Sequence, residues 1–165
     1  RVEQDDWLWP RRGDWMARLE EVLLASCAPA LLVAHSLGCH LVAAWAARSR
    51  QVARVRAALL VAPPDTERDD LPPQLHSWRP MSRKPLPFAA TVVASSDDPY
   101  CAIECSRALA RRWGAELVHA GARGHLNTES GLADWPEGLV LVRALAAAAG
   151  APQPAGRHAS ITAHG

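Results

Sequence analysis

The sequence has too little of several features to belong to some large classes of protein. Its four cysteines are too few for a disulfide framework in 165 residues, and none stands in a paired C-x-x-C spacing. No stretch reaches the roughly 18 uninterrupted apolar residues that a membrane helix needs, and Arg143 interrupts the best run, 138–150. The opening residues, which include Arg1 and Glu3, are charged and unlike a secretory signal peptide. We therefore expect a cytoplasmic protein with no membrane segment.

An excess of charge of one sign is also lacking. The chain has 18 basic and 17 acidic residues and a net charge of +1, so it has no field that would attract nucleic acid or an anionic membrane. Hydrophobic residues make up 49% and charged residues 21%, a balance typical of globular proteins. The length fits one compact domain.

Short apolar runs predict a parallel sheet. Continuous runs rich in Val, Leu and Ala occupy residues 30–34, 57–62 and 90–94, as expected for strands that are covered by helices on both faces. Residues 116–120 fit a fourth strand, and 2–4 fit the remnant of another. Helical patterns occupy residues 15–26, the stretch from Leu37, 102–113 and 137–149. Asp14 is placed to cap the first helix.

The alternation of strands and helices predicts an α/β fold, with a mainly parallel sheet and helices on both faces. Residues 1–150 form this domain. Within it, 63–87 carries seven prolines and is expected to form a long loop over the strand ends. Residues 151–165 are expected to form a flexible tail.

A serine stands at the turn between the first long strand and the helix that follows it. The run 34–38 reads Ala-His-Ser-Leu-Gly, close to the G-x-S-x-G nucleophile elbow, with Ala34 in place of the first glycine. The amide of Leu37, at the start of the helix, would face a developing oxyanion. The alternative is that Ser36 merely caps the helix, because short motifs often match by chance.

A serine nucleophile needs a base and an orienting carboxylate, which follow it in the order acid, then histidine, in α/β-hydrolases. Asp97 and Asp98 follow the strand at 90–94, and His125 follows the one at 116–120. Because parallel strands deliver their loops to one sheet edge, Ser36, Asp98 and His125 can converge there. Taken singly, the Asp-Pro pair fits a turn and His125 fits an ordinary loop histidine.

Other reactive side chains favour structural roles. His35 and His40 flank Ser36, but no metal-binding spacing such as H-E-x-x-H occurs near them. Cys101 and Cys105 are four residues apart and are expected to share a helix face rather than to bind a metal. We expect no metal and no cofactor.

Four segments together carry a resemblance to a known family. They are 3–7 (EQDDW), 32–39 (LVAHSLGC), 93–100 (VASSDDPY) and 124–138 (GHLNTESGLADWPEG). The chain resembles, over about residues 1–150, the small serine hydrolases related to retinoblastoma-binding protein 9 and bacterial YdeN, within the α/β-hydrolase superfamily. The resemblance implies that Ser36 is the nucleophile, His125 the general base and Asp98, directly before Pro99, its orienting acid.

The chain departs from this family at its start. Members begin with a strand and a glycine-rich loop that contains a His-Trp pair and supplies the second oxyanion amide, and neither occurs in these 165 residues. The resemblance therefore predicts an N-terminally truncated α/β-hydrolase fold, either a fragment or a degenerate copy. The strand at 30–34 is then expected to have an open edge, unless residues 2–4 fill it.

The function expected from these observations is hydrolysis of a small ester or amide by acyl transfer. Ser36, His125 and Asp98 would form the triad, and the Leu37 amide would contribute to the oxyanion hole. The alternative is a hydrolase-like interaction module that binds a protein partner without catalysis. The presence of all three triad residue types in the right order favours the enzyme.

Overall fold

A computed structural model describes residues 1–150, and the tail predicted for 151–165 lies outside the described residues. The helices are α1 (Arg12–Ala25), α2 (Leu37–Ala46), α3 (Ile103–Trp113) and α4 (Pro136–Gly150). The strands are β1 (Ala30–His35), β2 (Val55–Val61), β3 (Ala89–Ala94) and β4 (Glu116–His119). Short 3₁₀ turns cover Val52–Arg54, Pro73–Trp78 and Thr128–Ser130. The four strands predicted from apolar runs are confirmed to within two residues at each end.

The four strands form one parallel sheet in the order β1-β2-β3-β4. Leu59 of β2 lies between Val33 of β1 and Thr91 of β3. Because the strands are parallel, their carboxyl-terminal ends all lie at the same end of the sheet. Nearly every residue of β2 is buried, because both faces of the sheet are covered. The predicted α/β fold is confirmed.

Helices pack on both faces of the sheet. Helices α2 and α3 contact one face, where Ala58 and Leu60 are buried, and α4 covers the other, where Leu59 and Val61 are buried. Alternate side chains of β2 thus point to opposite faces of the sheet, and each set packs against the helices on its own face. No helix in residues 1–150 is long and apolar enough to cross a membrane.

Helix α1 starts earlier than predicted, and Asp14 does not cap it. The helix begins at Arg12, whose amide donates to the hydroxyl of Ser77 at 3.2 Å. Asp14 lies in the first turn, where its negative charge suits the positive end of the helix dipole. The prediction failed because the capping hydroxyl comes from a residue 65 positions away.

Strand β1 forms one edge of the sheet. Within residues 1–150 it pairs with β2 alone, so the expected open edge is confirmed. The interpretation of residues 2–4 as a strand is wrong, because they are irregular and are tied to α1 by Arg18, which donates to the Glu3 carbonyl at 3.3 Å. Gln4 is nevertheless buried and lines a cavity of about 860 Å³ that follows β1 to Ser36.

Candidate active site

Ser36 occupies a sharp turn between β1 and α2. Its backbone has φ 55° and ψ −126°, a conformation that residues other than glycine seldom adopt and that stores about 1–3 kcal/mol of strain. Hydrogen bonds hold it: the Ser36 amide donates to the Val61 carbonyl, and the Ser36 carbonyl accepts from the Cys39 amide, both at 2.9 Å. The turn lifts the side chain above the carboxyl edge of the sheet.

The predicted serine, histidine and aspartate lie together at the carboxyl-terminal ends of the strands. His125 Nε2 lies 2.9 Å from Ser36 Oγ, and His125 Nδ1 lies 3.0 and 2.9 Å from the two carboxylate oxygens of Asp98. The side chains of His125 and Asp98 are only 9% and 3% exposed, so little solvent competes for these hydrogen bonds. With Nδ1–H donating to the carboxylate, Nε2 is left as the acceptor for the serine proton.

The two neighbouring aspartates face different groups. Asp98 Oδ1 also accepts from the Tyr100 amide at 2.9 Å, which orients this carboxylate toward His125. Asp97 Oδ1 accepts instead from the Ser95 hydroxyl at 2.6 Å and from the Gly124 amide at 2.7 Å. The Ser95 and Gly124 hydrogen bonds lower the pKa of Asp97. Asp97 thus holds the backbone of the loop that carries His125, whereas Asp98 contacts the imidazole.

A second set of hydrogen bonds shapes the loop after β4. The His125 amide donates to Ser130 Oγ at 2.9 Å, and this hydroxyl donates to Asn127 Oδ1 at 2.8 Å. Gly124 has φ +53°, and a Cβ there would lie 2.6 Å from Ser130 Oγ, so the position requires glycine. Sequence reasoning missed Ser130, Asn127 and Ser95, because only the folded loop brings their polar atoms to backbone amides.

The Leu37 amide stands at the start of α2. Leu37 is the first residue of α2, so its N–H has no acceptor within the helix and stands at the positive end of the dipole. It directly follows the strained serine, and both residues line the cavity along β1. A negatively charged oxygen forming beside Ser36 would therefore meet a hydrogen-bond donor.

The remaining candidate ligands do not form a metal site. Residues 1–150 contain no cluster of three or more His, Cys, Asp or Glu side chains that could hold an ion. His40 is buried against Trp113, and its Nε2–H donates to the Pro64 carbonyl at 2.7 Å. Burial lowers the pKa of His40 and raises that of the Cys39 thiol, as expected for neutral groups in a core.

Comparison with known proteins agrees with this geometry. A sequence model of a family described as serine hydrolases matches residues 1–144. The crystal structure of a YdeN-like hydrolase from Pectobacterium atrosepticum superposes with a TM-score of 0.78 at 23% identity, over 90% of this chain and 76% of that one. The ydeN gene product of Bacillus subtilis gives 0.70 at 20% identity, over 88% and 81%.

More distant structures share the same fold. The monoacylglycerol lipase of Paleococcus ferrophilus superposes with a TM-score of 0.61 at 11% identity, over 86% of this chain and 76% of that one. No curated protein sequence matches the chain. The structural matches show that the fold is that of the α/β-hydrolases.

Proposed function

The chain belongs to the serine hydrolase family, and from this premise we propose that it hydrolyses a small ester or amide through Ser36, His125 and Asp98. The observation that carries the proposal is the continuous hydrogen-bonded series from Ser36 Oγ to the Asp98 carboxylate, with each distance between 2.9 and 3.0 Å. Such a series activates a hydroxyl that is otherwise a poor nucleophile at neutral pH.

Each residue has one role in the proposed reaction. Ser36 Oγ attacks the substrate carbonyl carbon as its proton passes to His125 Nε2. The imidazolium that forms is stabilised by Asp98, which holds the ring in the required tautomer. The Leu37 amide donates to the oxyanion of the tetrahedral intermediate. Collapse of this intermediate transfers the His125 proton to the leaving alcohol or amine, and water then releases the acyl group by the same steps.

The proposal also covers the class of substrate, the need for a cofactor and the location of the protein in the cell. The cavity beside Ser36 is largely apolar, with Leu32, Leu41 and Leu75 among its lining residues, which favours an uncharged acyl group. The chemistry uses only protein groups and needs no cofactor. Four cysteines without a disulfide favour the cytoplasm as the location.

A fluorophosphonate probe tests the proposal, because it reacts only with an activated serine. We expect the wild-type chain to be labelled and to hydrolyse a p-nitrophenyl ester, and Ser36→Ala to do neither while its circular dichroism stays unchanged. Peptide mapping must place the probe on Ser36. Labelling of Ser36→Ala at the wild-type rate would overturn the assignment of the nucleophile.

The open edge of β1 favours the second candidate function, a module that binds a protein partner. Val33 of this strand is 60% exposed, and Leu8, which lines the same cavity, is 89% exposed. An unpaired strand with apolar neighbours can accept a strand from another chain. A folded wild-type chain that resists the probe under all conditions would favour this module over the enzyme.

A further inference from the structure

His35 contacts the backbone of the histidine in the candidate triad. It is the last residue of β1 and directly precedes Ser36. Its Nε2 lies 2.8 Å from the carbonyl oxygen of His125. Because a carbonyl oxygen only accepts, Nε2 must carry the hydrogen and donate it. This hydrogen bond joins residues that are 90 positions apart in the chain.

The rings of His35 and Tyr100 also contact the imidazole of His125. The His35 ring meets it edge to face, with centroids 4.8 Å apart and planes at 61°. The Tyr100 ring meets it at 4.6 Å and 69°. Edge-to-face contacts of this kind stabilise one ring orientation over others.

The hydrogen bond from His35 adds a link to β1 beside those that already hold the loop of His125 through Asp97 and Ser130. His125 lies outside the sheet, and the next residue, Leu126, has φ 50°, so no regular structure fixes this segment. The Ser36–His125 distance depends on how the end of β1 lies against the loop after β4. His35 and Ser36 are consecutive, so a hydrogen bond from His35 to the His125 carbonyl links the base to the segment that carries the nucleophile.

We propose that His35 is a positioning residue, which holds His125 in the orientation that receives the Ser36 proton through its Nε2–H bond to the His125 carbonyl. This inference rests on the proposed hydrolase function and adds to it a group outside the triad. Partial burial of its ring lowers the pKa of His35, so the ring stays neutral and adds no positive charge beside the imidazolium that forms on His125. The titratable groups that face it are His125 and Asp98.

Two substitutions separate the hydrogen bond from the ring contact. His35→Phe keeps an aromatic ring against His125 and removes the donor, whereas His35→Gln keeps an N–H donor near the Nε2 position. We expect His35→Phe to lower kcat about 10- to 100-fold with little change in KM, because small displacements of reacting groups have effects of this size. We expect His35→Gln to recover most of this loss, to within about threefold of the wild-type kcat.

A matched control removes the same kind of bond elsewhere. His76 Nε2 contacts the Leu71 carbonyl at 3.0 Å in the proline-rich segment, and we expect His76→Phe to keep kcat within about twofold of wild type. Three results would overturn the inference: His35→Phe with kcat within about threefold of wild type, His35→Gln as slow as His35→Phe, or His76→Phe equally slow.

Proton NMR distinguishes failure of this inference from failure of the proposed hydrolase. The His125 Nδ1–H in its bond to Asp98 should give a downfield resonance in the wild-type chain, which should broaden or disappear in His35→Phe but persist in His35→Gln. An unchanged resonance in His35→Phe would overturn the positioning role whatever the activity. A wild-type chain that resists the fluorophosphonate probe overturns the hydrolase, and the comparison of resonances still decides the role of His35.

Discussion

Exchange of each neighbouring aspartate for asparagine separates the two roles that we propose for Asp97 and Asp98. In Asp98→Asn the amide oxygen can keep the hydrogen bond from the Tyr100 amide, and its NH₂ group then replaces the carboxylate oxygen that lay 2.9 Å from His125 Nδ1. The retained oxygen, 3.0 Å from Nδ1, is left to the Tyr100 amide. An NH₂ donor that faces Nδ1 favours the tautomer in which Nδ1 accepts and the imidazole carries its hydrogen on Nε2. His125 can then no longer accept the Ser36 proton.

The expected magnitude follows from that tautomer. Asparagine in place of the triad aspartate lowers kcat by up to about 10⁴ in a serine protease without disturbing the geometry, and the buried Asp98 has the same relation to His125. Asp97→Asn is the matched control. Asp97 uses Oδ1 for both of its hydrogen bonds, and asparagine retains that acceptor, so we expect a loss of less than about tenfold.

The assay compares kcat for p-nitrophenyl butyrate and the rate of fluorophosphonate labelling at pH 7 and 25 °C. Circular dichroism and urea unfolding of both variants show whether either has lost its fold. We expect Asp98→Asn to be folded and nearly inactive, with Asp97→Asn close to wild type in labelling rate. Equal losses, or a larger loss in Asp97→Asn, would refute the assignment of Asp98 and transfer the orienting role to its neighbour.

The other predictions concern the loop, the acid range and the sheet edge. Gly124→Ala should destabilise the fold and slow labelling, since its Cβ would lie 2.6 Å from Ser130 Oγ, whereas Gly121→Ala at φ +80° meets no atom within 4 Å and should show only a modest loss in urea unfolding. Hydrogen bonds from Ser95 and Gly124 lower the pKa of Asp97 in the folded chain. The ionised Asp97 therefore stabilises the fold fully above the pKa that it has in the unfolded chain, and this contribution is lost as the pH falls through its lower folded pKa. The unfolding free energy of wild type should exceed that of Asp97→Asn by less and less below about pH 4. Val33→Lys should reduce concentration-dependent association in light scattering, because a charge on an open strand opposes pairing, and equal association in both chains would contradict this.

Much of the fold could be predicted because its strands are buried on both faces. The runs at 57–62 and 90–94 have no polar alternation, which is typical of strands in a parallel sheet covered on both faces. The helix predicted for 102–113 ends where expected, because Gly114 follows its last residue with φ 66°, a left-handed conformation that favours glycine. The start of α1 could not be predicted, because Ser77 caps it through a contact that exists only once the proline-rich segment has packed against the helix.

In the candidate site, too, some features could be predicted from the sequence and others could not. The proximity of Ser36, Asp98 and His125 could be anticipated, because each follows the end of a parallel strand and the chain order matches the family; their catalytic roles remain a prediction. The hydrogen bonds around them could not be anticipated. Most join side chains to backbone groups, as from His35 to the His125 carbonyl, and sequence patterns carry no information on where a loop carbonyl points.

Strand β1 links the stability of the sheet to the geometry of the site. It carries both the strained Ser36 and the His35 that contacts the His125 loop, and within residues 1–150 it is held on one side by β2 alone. The strain of about 1–3 kcal/mol at the elbow must be balanced by the pairing of β1 with β2 and by the burial of α2 through Leu41 and Trp45. A change in what pairs with the open edge of β1 would shift the positions of Ser36 and of the His35 donor together. The reactivity of Ser36 should therefore follow the order of this edge strand more closely than the order of β3 or β4.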